Sequence, residues 1–449
     1  MCGMILVLAV VGATTGLADF QAGAARKAIT PDGSIWMSGY AFRKAPSDGV
    51  LHDLWAKALA LQDAEGRRTV IVTIDVIGLP REVFDAVAAR LKQKHGLERG
   101  QFMLNAAHIH TGPLIWPNLR ILYDLNESDQ NRLIGYRARL IEDIVEVADR
   151  ALADLKPATL ALGHGSVGFA ANRRAALKHN GERVPAPVDH DVPVIKISSP
   201  DGAVRAVVFG YACHNTTCTE SCRRLNGDYA GFAQIEIEKA MPGAMAMFLM
   251  LCGADQNPDR RGTVEIAAEH GQKLAQAVRD VLGRPMRTPQ PVAIRTAYED
   301  VALDIAQVKR SAFEWERLTS NVFRQRRAKA VLGDLDASRP VWQATVPVQA
   351  IGFGPHVALL ALGGEPVVDY PLRLKREYAK TDLIVAGYTN DVMCYIPSRR
   401  VLEEGGYESV DNMIYYGKPG PFADTVEEKM VGACRRVLAK VGERDTRAN

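Results

Sequence analysis

Apolar and polar positions along the chain switch between two periods. Short β-branched runs, which suit strands, give way to longer segments with an apolar residue every three to four positions, which suit helices. Residues 69–74 (Thr-Val-Ile-Val-Thr-Ile) form a near-continuous apolar run that reads as a buried strand ending at Asp75. The periodicity predicts a helix over 81–95, a strand over 101–107 and a helix over 130–153. It predicts further strands at 158–163, 192–198, 204–210 and 244–252, and helices at 229–240 and 263–282. Residues 346–362 read as a hairpin turning at Gly354-Pro355. The stretch 305–335, rich in Lys, Arg, Glu and Ala, reads as one long exposed helix, a solvated surface element or a lid. No internal repeat is visible, and residues 19–449 read as one large compact unit. Strands alternating with helices define an α/β fold, mixed sheets flanked by helices.

Composition narrows the partners rather than the fold. Hydrophobic residues at 47% and charged residues at 24% exclude disorder and a membrane bundle. A net charge of +3, with no basic block interleaved with aromatics, argues against nucleic acid and for a small-molecule or lipid substrate. Residues 4–16 are an apolar and small-residue run, followed by Leu17-Ala18 before Asp19, which reads as the core and cleavage site of a secretory signal over 1–18. The run is too short to span a bilayer, and no later stretch is long enough. The first three residues lack Lys or Arg, so an upstream start or a buried strand is the rival reading. Export implies a secreted or periplasmic protein. Removing Cys2 with the signal leaves six of seven cysteines. The crowding of Cys213, Cys218 and Cys222 is read as a local disulfide in preference to a zinc knuckle, because no second CxxC pair accompanies it.

The chemistry sits at the ends of the apolar runs. His108-Ile109-His110-Thr111-Gly112-Pro113 follows a predicted strand, where positions two apart share a side. Two imidazoles there can share a metal, or one can bind it while the other works on substrate. His214 ends the run 207–213, Glu365 follows Gly363-Gly364 after another strand, and Tyr395 closes a fourth segment. Ligand sites gather at strand ends in open α/β sheets, and His nitrogen with carboxylate oxygen suits zinc. Asp75 reads as a capping residue, and His190, between Asp189 and Asp191, as part of a solvated loop.

At this point the sequence resembles the neutral/alkaline ceramidases. The resemblance runs through Ser38-Gly39-Tyr40, His52-Asp53-Leu54, the His-Ile-His-Thr-Gly-Pro stretch, Ala171-Asn172-Arg173-Arg174, Gly227-Asp228, Gly363-Gly364-Glu365 and the Tyr395 region, in that order. In that family the zinc-binding Tyr is followed twelve residues on by a second Tyr within Arg-Tyr-Glu; here Tyr407 stands twelve residues after Tyr395, within Gly406-Tyr407-Glu408. The resemblance implies a ceramidase-like catalytic domain, a zinc amidase cutting the N-acyl bond of ceramide. It implies His108, His214, Glu365 and Tyr395 as zinc ligands, and His110, Arg173 and Tyr407 as the catalytic groups around the scissile carbonyl. Zinc lowers the pKa of water toward ~7, Arg173 and Tyr407 suit an oxyanion, and His110 suits proton transfer to the leaving amine.

Three departures follow. The family's Gly-Asp-Val-Ser-Pro-Asn segment, whose Ser lies in the active site, is Gly253-Ala254-Asp255-Gln256-Asn257-Pro258 here, making Asp255 and Asn257 the expected substrate contacts. The Arg before the second Tyr is Gly406. The family's C-terminal immunoglobulin-like domain has no counterpart before Asn449. Two rival readings keep the zinc: the same site acting on a glycan or another small ester or amide, or a non-catalytic binding protein with structural zinc.

Overall fold

The structure, a computed structural model, describes residues 20–176 and 186–442; the expected signal at 1–18 lies outside the described residues. Three four-stranded sheets carry the fold. The first contains β1 (Gln21–Ala28), β2 (Trp55–Gln62), β3 (Arg68–Ile74) and β4 (Phe102–Ala106), side by side in that order, with the two-residue strand Lys156–Pro157 beside β1. The second contains β5 (Thr159–Ser166), β6 (Asp191–Ser198), β7 (Val204–Tyr211) and β8 (Met245–Met250). The third contains β9 (Arg295–Asp304), β10 (Gln343–Gly352), β11 (Val357–Leu362) and β12 (Asp382–Ala386).

All three share one topology. The first three strands run antiparallel and the fourth lies parallel to the third. A parallel partner needs a crossover, and a helix supplies it each time: α1 (Arg81–His95), then α3 (Asp228–Ala240), then α7 (Asp369–Glu377). A second helix follows each fourth strand, namely α2 (Glu127–Ala153), α4 (Val264–Leu282) and α8 (Val426–Val441), and packs back across the first two strands. The chain therefore contains a threefold repeat of topology, although its residues do not repeat.

The third and fourth strands of each sheet are buried on both faces and read as near-continuous apolar runs. Leu59, Ile71 and Met103 of the first sheet meet Leu160, Ile195 and Met247 of the second and Ile351, Leu359 and Ile384 of the third in one core. Alternate residues point the other way, toward the helices: Val70 and Val72 in the first sheet, Phe209 and Phe248 in the second, Val348 and Leu360 in the third. At the centre, the three fourth strands are tied by Asn105, whose amide donates to Met250 O and Gly387 O and accepts from Met250 N. The strands the periodicity missed, β1, β2 and β9, are alanine-rich or strongly polar. Small residues there let helices approach: a Cβ on Gly23 would stand 2.1 Å from Ala151 O of α2.

The stretch 305–335 is two helices, α5 (Arg310–Glu316) and α6 (Val322–Asp336), not one exposed helix. Asn321 caps α6 by accepting from the Phe323 and Arg324 amides. Phe313, Ala328, Val331 and Leu332 form a small core between them, and buried Glu316 pairs with Arg324 and Arg327. Burying this carboxylate at the end of α5 turns the chain back on itself. All six cysteines among the described residues are free thiols, so the expected local disulfide is not formed. No helix among the described residues is long and apolar enough to cross a membrane.

Candidate metal centre

Each unit delivers its chemistry where its parallel strand pair ends. In the first unit, His108 follows β4, and its Nδ1 lies 2.7 Å from Ile77 O, on the chain leaving β3. In the second, His214 follows β7, and its Nδ1 lies 2.9 Å from Gly253 O, on the chain leaving β8. A carbonyl only accepts, so both Nδ1 atoms carry the proton and both Nε2 lone pairs face the centre. In the third unit, the short strands Glu365–Pro366 and Tyr395–Ile396 pair directly, setting Glu365 opposite Tyr395. His108 achieves its pose with φ of 59°, a left-handed conformation that non-glycine residues rarely adopt.

The groups converge. His108, His110 and His214 offer ring nitrogens within 4.8 Å of one another, all buried. His108 Nε2 lies 3.2 Å from His110 Nε2 and 3.2 Å from Glu365 Oε2. His214 Nε2 lies 3.1 Å from the Tyr395 hydroxyl and 3.5 Å from Glu365 Oε2. Glu365 Oε2 is buried and makes no hydrogen bond, whereas Tyr416 OH donates to its other oxygen. The His108 and His214 Nε2 lone pairs face the unpartnered Glu365 Oε2 with no proton between them and repel it; a cation at their centre satisfies all three. The donor set therefore fits a metal ion.

Burial and the neighbouring imidazoles push His110 well below the ordinary histidine value, so it is neutral. Burial pushes His214 down to about 4. Burial works to raise Glu365, but His108 and His214 outweigh it and hold it well below the usual carboxylate range. The unfolded chain takes up a proton at His214 near pH 6.5 that the folded, metal-free chain refuses until about pH 4. Stability is thus full above the unfolded value and falls as pH drops through this window, by about 3 kcal/mol from this group. Thermal denaturation of the metal-free protein from about pH 7 to about pH 4 reads the effect, and a flat melting temperature contradicts it.

The groups expected around the carbonyl flank this centre. Arg173 Nη2 donates to the Tyr395 hydroxyl at 3.3 Å, and its guanidinium lies over the rings of Tyr395 and Tyr407. Glu408 fixes Arg173 at 2.5 Å and Arg174 at 2.5 Å. A cavity of about 230 Å³ opens beside the centre, lined by His108, His110, Glu365, Tyr395 and Tyr407 together with Phe42, Leu119 and Leu122. Asp255 and Asn257 do not line it. Asp255 is fully buried, accepts from the Val368 amide and Asn172, and takes the Arg173 amide on its carbonyl. Its role is to hold the Arg173 backbone. Asn257 stands beside Thr216, 3.5 Å away. Asp75 accepts from the Trp55 amide, and Asp189 and Asp191 share Lys375.

Sequence reasoning missed Tyr416, Tyr388 and Glu408. Tyr388 packs its ring 4.3 Å from His108. Only Glu408 carried a signal, as part of Gly-Tyr-Glu; the two tyrosines look like ordinary core residues. Tyr416→Phe is expected to weaken metal binding about 10- to 100-fold by freeing the Glu365 carboxylate, as read by chelator competition. Gly39, with φ of 95°, backs His110: a Cβ there would lie 2.2 Å from Nδ1. Gly39→Ala should displace the ring and cut turnover roughly a hundredfold while the metal stays bound.

Fold and site together define an α/β protein with a buried histidine-carboxylate centre suited to a divalent metal, set under an apolar cavity. The chain belongs to the neutral/alkaline non-lysosomal ceramidase family, whose N-terminal model matches residues 20–278. It is 24% identical over 457 residues to a neutral ceramidase of Mycobacterium tuberculosis (strain ATCC 25618 / H37Rv), covering 83% of this chain and 70% of that protein. It is 26% identical over 215 residues to a neutral ceramidase of Pseudomonas aeruginosa, covering 45% of this chain and 31% of that protein. The crystal structure of neutral ceramidase from Pseudomonas aeruginosa shares the fold, with a TM-score of 0.73 and 19% identity over 94% of this chain and 74% of that one.

Proposed function

We propose that the protein is a zinc-dependent amidohydrolase that cleaves the N-acyl bond of ceramide or a closely related acylated amino alcohol. The convergence of His108 and His214 Nε2 on the unpartnered Glu365 oxygen, with Tyr395 alongside, carries this reading. His108, His214, Glu365 and Tyr395 would hold the ion, which supplies Lewis acidity and a water of lowered pKa. His110, neutral and backed by Gly39, accepts a proton and returns it to the leaving amine. Arg173 and Tyr407 hold the carbonyl oxygen as it gains charge, with Glu408 anchoring Arg173. The apolar wall of Leu119 and Leu122 suits an acyl or alkyl chain.

A second reading, a smaller acylated amine at the same centre, is favoured by the modest cavity of about 230 Å³. Fluorescent N-acyl-sphingosine and short N-acyl amines, assayed with and without a chelator alongside metal content, decide between them. Chelator-sensitive turnover of the sphingosine substrate, restored by zinc, supports the first. Turnover of short amides alone supports the second, and a zinc-loaded protein silent on every amide removes both. We also propose export to a secreted or periplasmic location, on the apolar run at 4–16; N-terminal sequencing of the mature protein tests it.

A further inference from the structure

Eight large apolar side chains among the described residues are exposed, and six of them belong to the cavity lining or to the elements packed beside it. Phe42 and Tyr407 line the cavity itself, and Val410 shares the helical turn of Tyr407. Trp315, Leu318 and Val322 belong to the elbow between α5 and α6. The elbow stands beside the mouth because Phe323, at the start of α6, packs 5.5 Å from Tyr415, which lies 6.1 Å from Tyr407. Arg326 further ties α6 to the Ile121 carbonyl, next to Leu122 of the cavity wall. Trp315 at 69% and Leu318 at 79% exposure are among the most exposed apolar side chains described. The small core of this hairpin is already complete without them.

Charge is concentrated in the same place. Residues 309–330 hold seven Lys or Arg against two Glu, a net of +5, although the whole chain nets only +3. Four of the arginines have acidic partners, Arg324 and Arg327 on Glu316, Arg326 on Asp124 and Arg310 on Glu314 and Asp336. Lys309, Arg317 and Lys329 form no ion pair with the described residues. An exposed Trp and Leu flanked by unpaired cations match the chemistry of a bilayer interface: aromatic rings settle at the headgroup level, and cations are drawn to anionic headgroups. A second copy of the chain, itself nearly neutral outside this segment, offers no comparable match to a concentrated positive charge.

We propose that the α5–α6 elbow docks the cavity mouth on a phospholipid bilayer carrying anionic headgroups, with Trp315 and Leu318 entering the interface. Docking this way places the mouth where an apolar ligand leaves the membrane without crossing water. The inference does not require that any acyl bond be cleaved, so its test is separate from that of the proposed function.

The test is co-sedimentation of the full-length protein with phosphatidylcholine vesicles, with and without phosphatidylglycerol. Wild type should bind the anionic vesicles and be released by salt. Trp315→Ser/Leu318→Ser should weaken that binding about tenfold or more, with a melting temperature within about 2 °C of wild type because both side chains are exposed. Its turnover of a water-soluble short-acyl substrate should match wild type. Arg317→Glu/Lys329→Glu should weaken binding while keeping the apolar tip. Equal vesicle binding by wild type and the Trp315/Leu318 variant overturns the proposal, as does failure of wild type to bind either vesicle. So does self-association of wild type that the same variant abolishes, which would assign the elbow to a second copy of the chain.

Discussion

Replacing His108 with alanine is expected to empty the centre and lower hydrolysis on the order of a thousandfold or more. The argument is geometric. His108 Nε2 is the hub of the cluster, 3.2 Å from both His110 Nε2 and Glu365 Oε2, and its ring is locked by the Ile77 carbonyl. Its loss removes one nitrogen donor and leaves the Glu365 carboxylate facing a void. Metal analysis after dialysis, alongside turnover, reads both consequences. The Glu365→Gln variant tests the same point with little change of shape, since an amide oxygen is a poorer ligand and carries no charge. If either variant keeps one metal per chain and its activity, these residues do not form the centre. Loss of activity with metal retained would instead move His108 from ligand to proton carrier.

Arg173→Ala is expected to lower kcat roughly a hundred- to a thousandfold with little change in KM. Arg173 reaches the Tyr395 hydroxyl and lies against Tyr407, so its charge is aimed at the place where the proposed reaction would build up an oxyanion. The substitution should leave the fold standing, because Glu408 keeps Arg174 as a partner at 2.5 Å. Glu408→Ala provides the contrast. It strips the carboxylate from two arginines at a nearly buried position and should cost stability, about 3 kcal/mol or more. Comparing kcat with denaturant midpoints for the two variants separates a charge used in chemistry from one used to hold it. Equal destabilisation with equal loss of turnover would place Arg173 in the scaffold alone.

The elements that sequence patterning found are those whose burial it could see. The strand ending at Asp75, the helix at 81–95 and the hairpin turning at Gly354-Pro355 all stand where apolar runs and turn residues put them. β1 and β2 escaped because alanine has little strand preference, and their identity as strands depends on helices packed closely over them. The stretch 305–335 reads as one helix because its residues favour helix throughout; the local Asn321 cap starts a second helix, and Glu316 folds it back through ion pairs across the hairpin. The expected disulfide failed differently: crowding of cysteines in sequence does not imply bonding of their sulfurs.

What the sequence carries by itself is a set of candidate donors placed at strand ends: His108, His110, His214, Glu365 and Tyr395 each come after an apolar run, where a side chain can leave the sheet and point into a site. What only the tertiary structure decided is how they meet. The threefold repeat leaves no trace in residue identity, because each sheet needs only apolar residues on two faces, which many sequences supply. That repeat brings three strand pairs to one point, through contacts such as Asn105 with Met250 and Gly387. The direction of each donor is likewise set from afar. The Ile77 and Gly253 carbonyls turn the two imidazoles inward and Tyr416 turns the carboxylate, and none of the three is near in sequence to the group it aims.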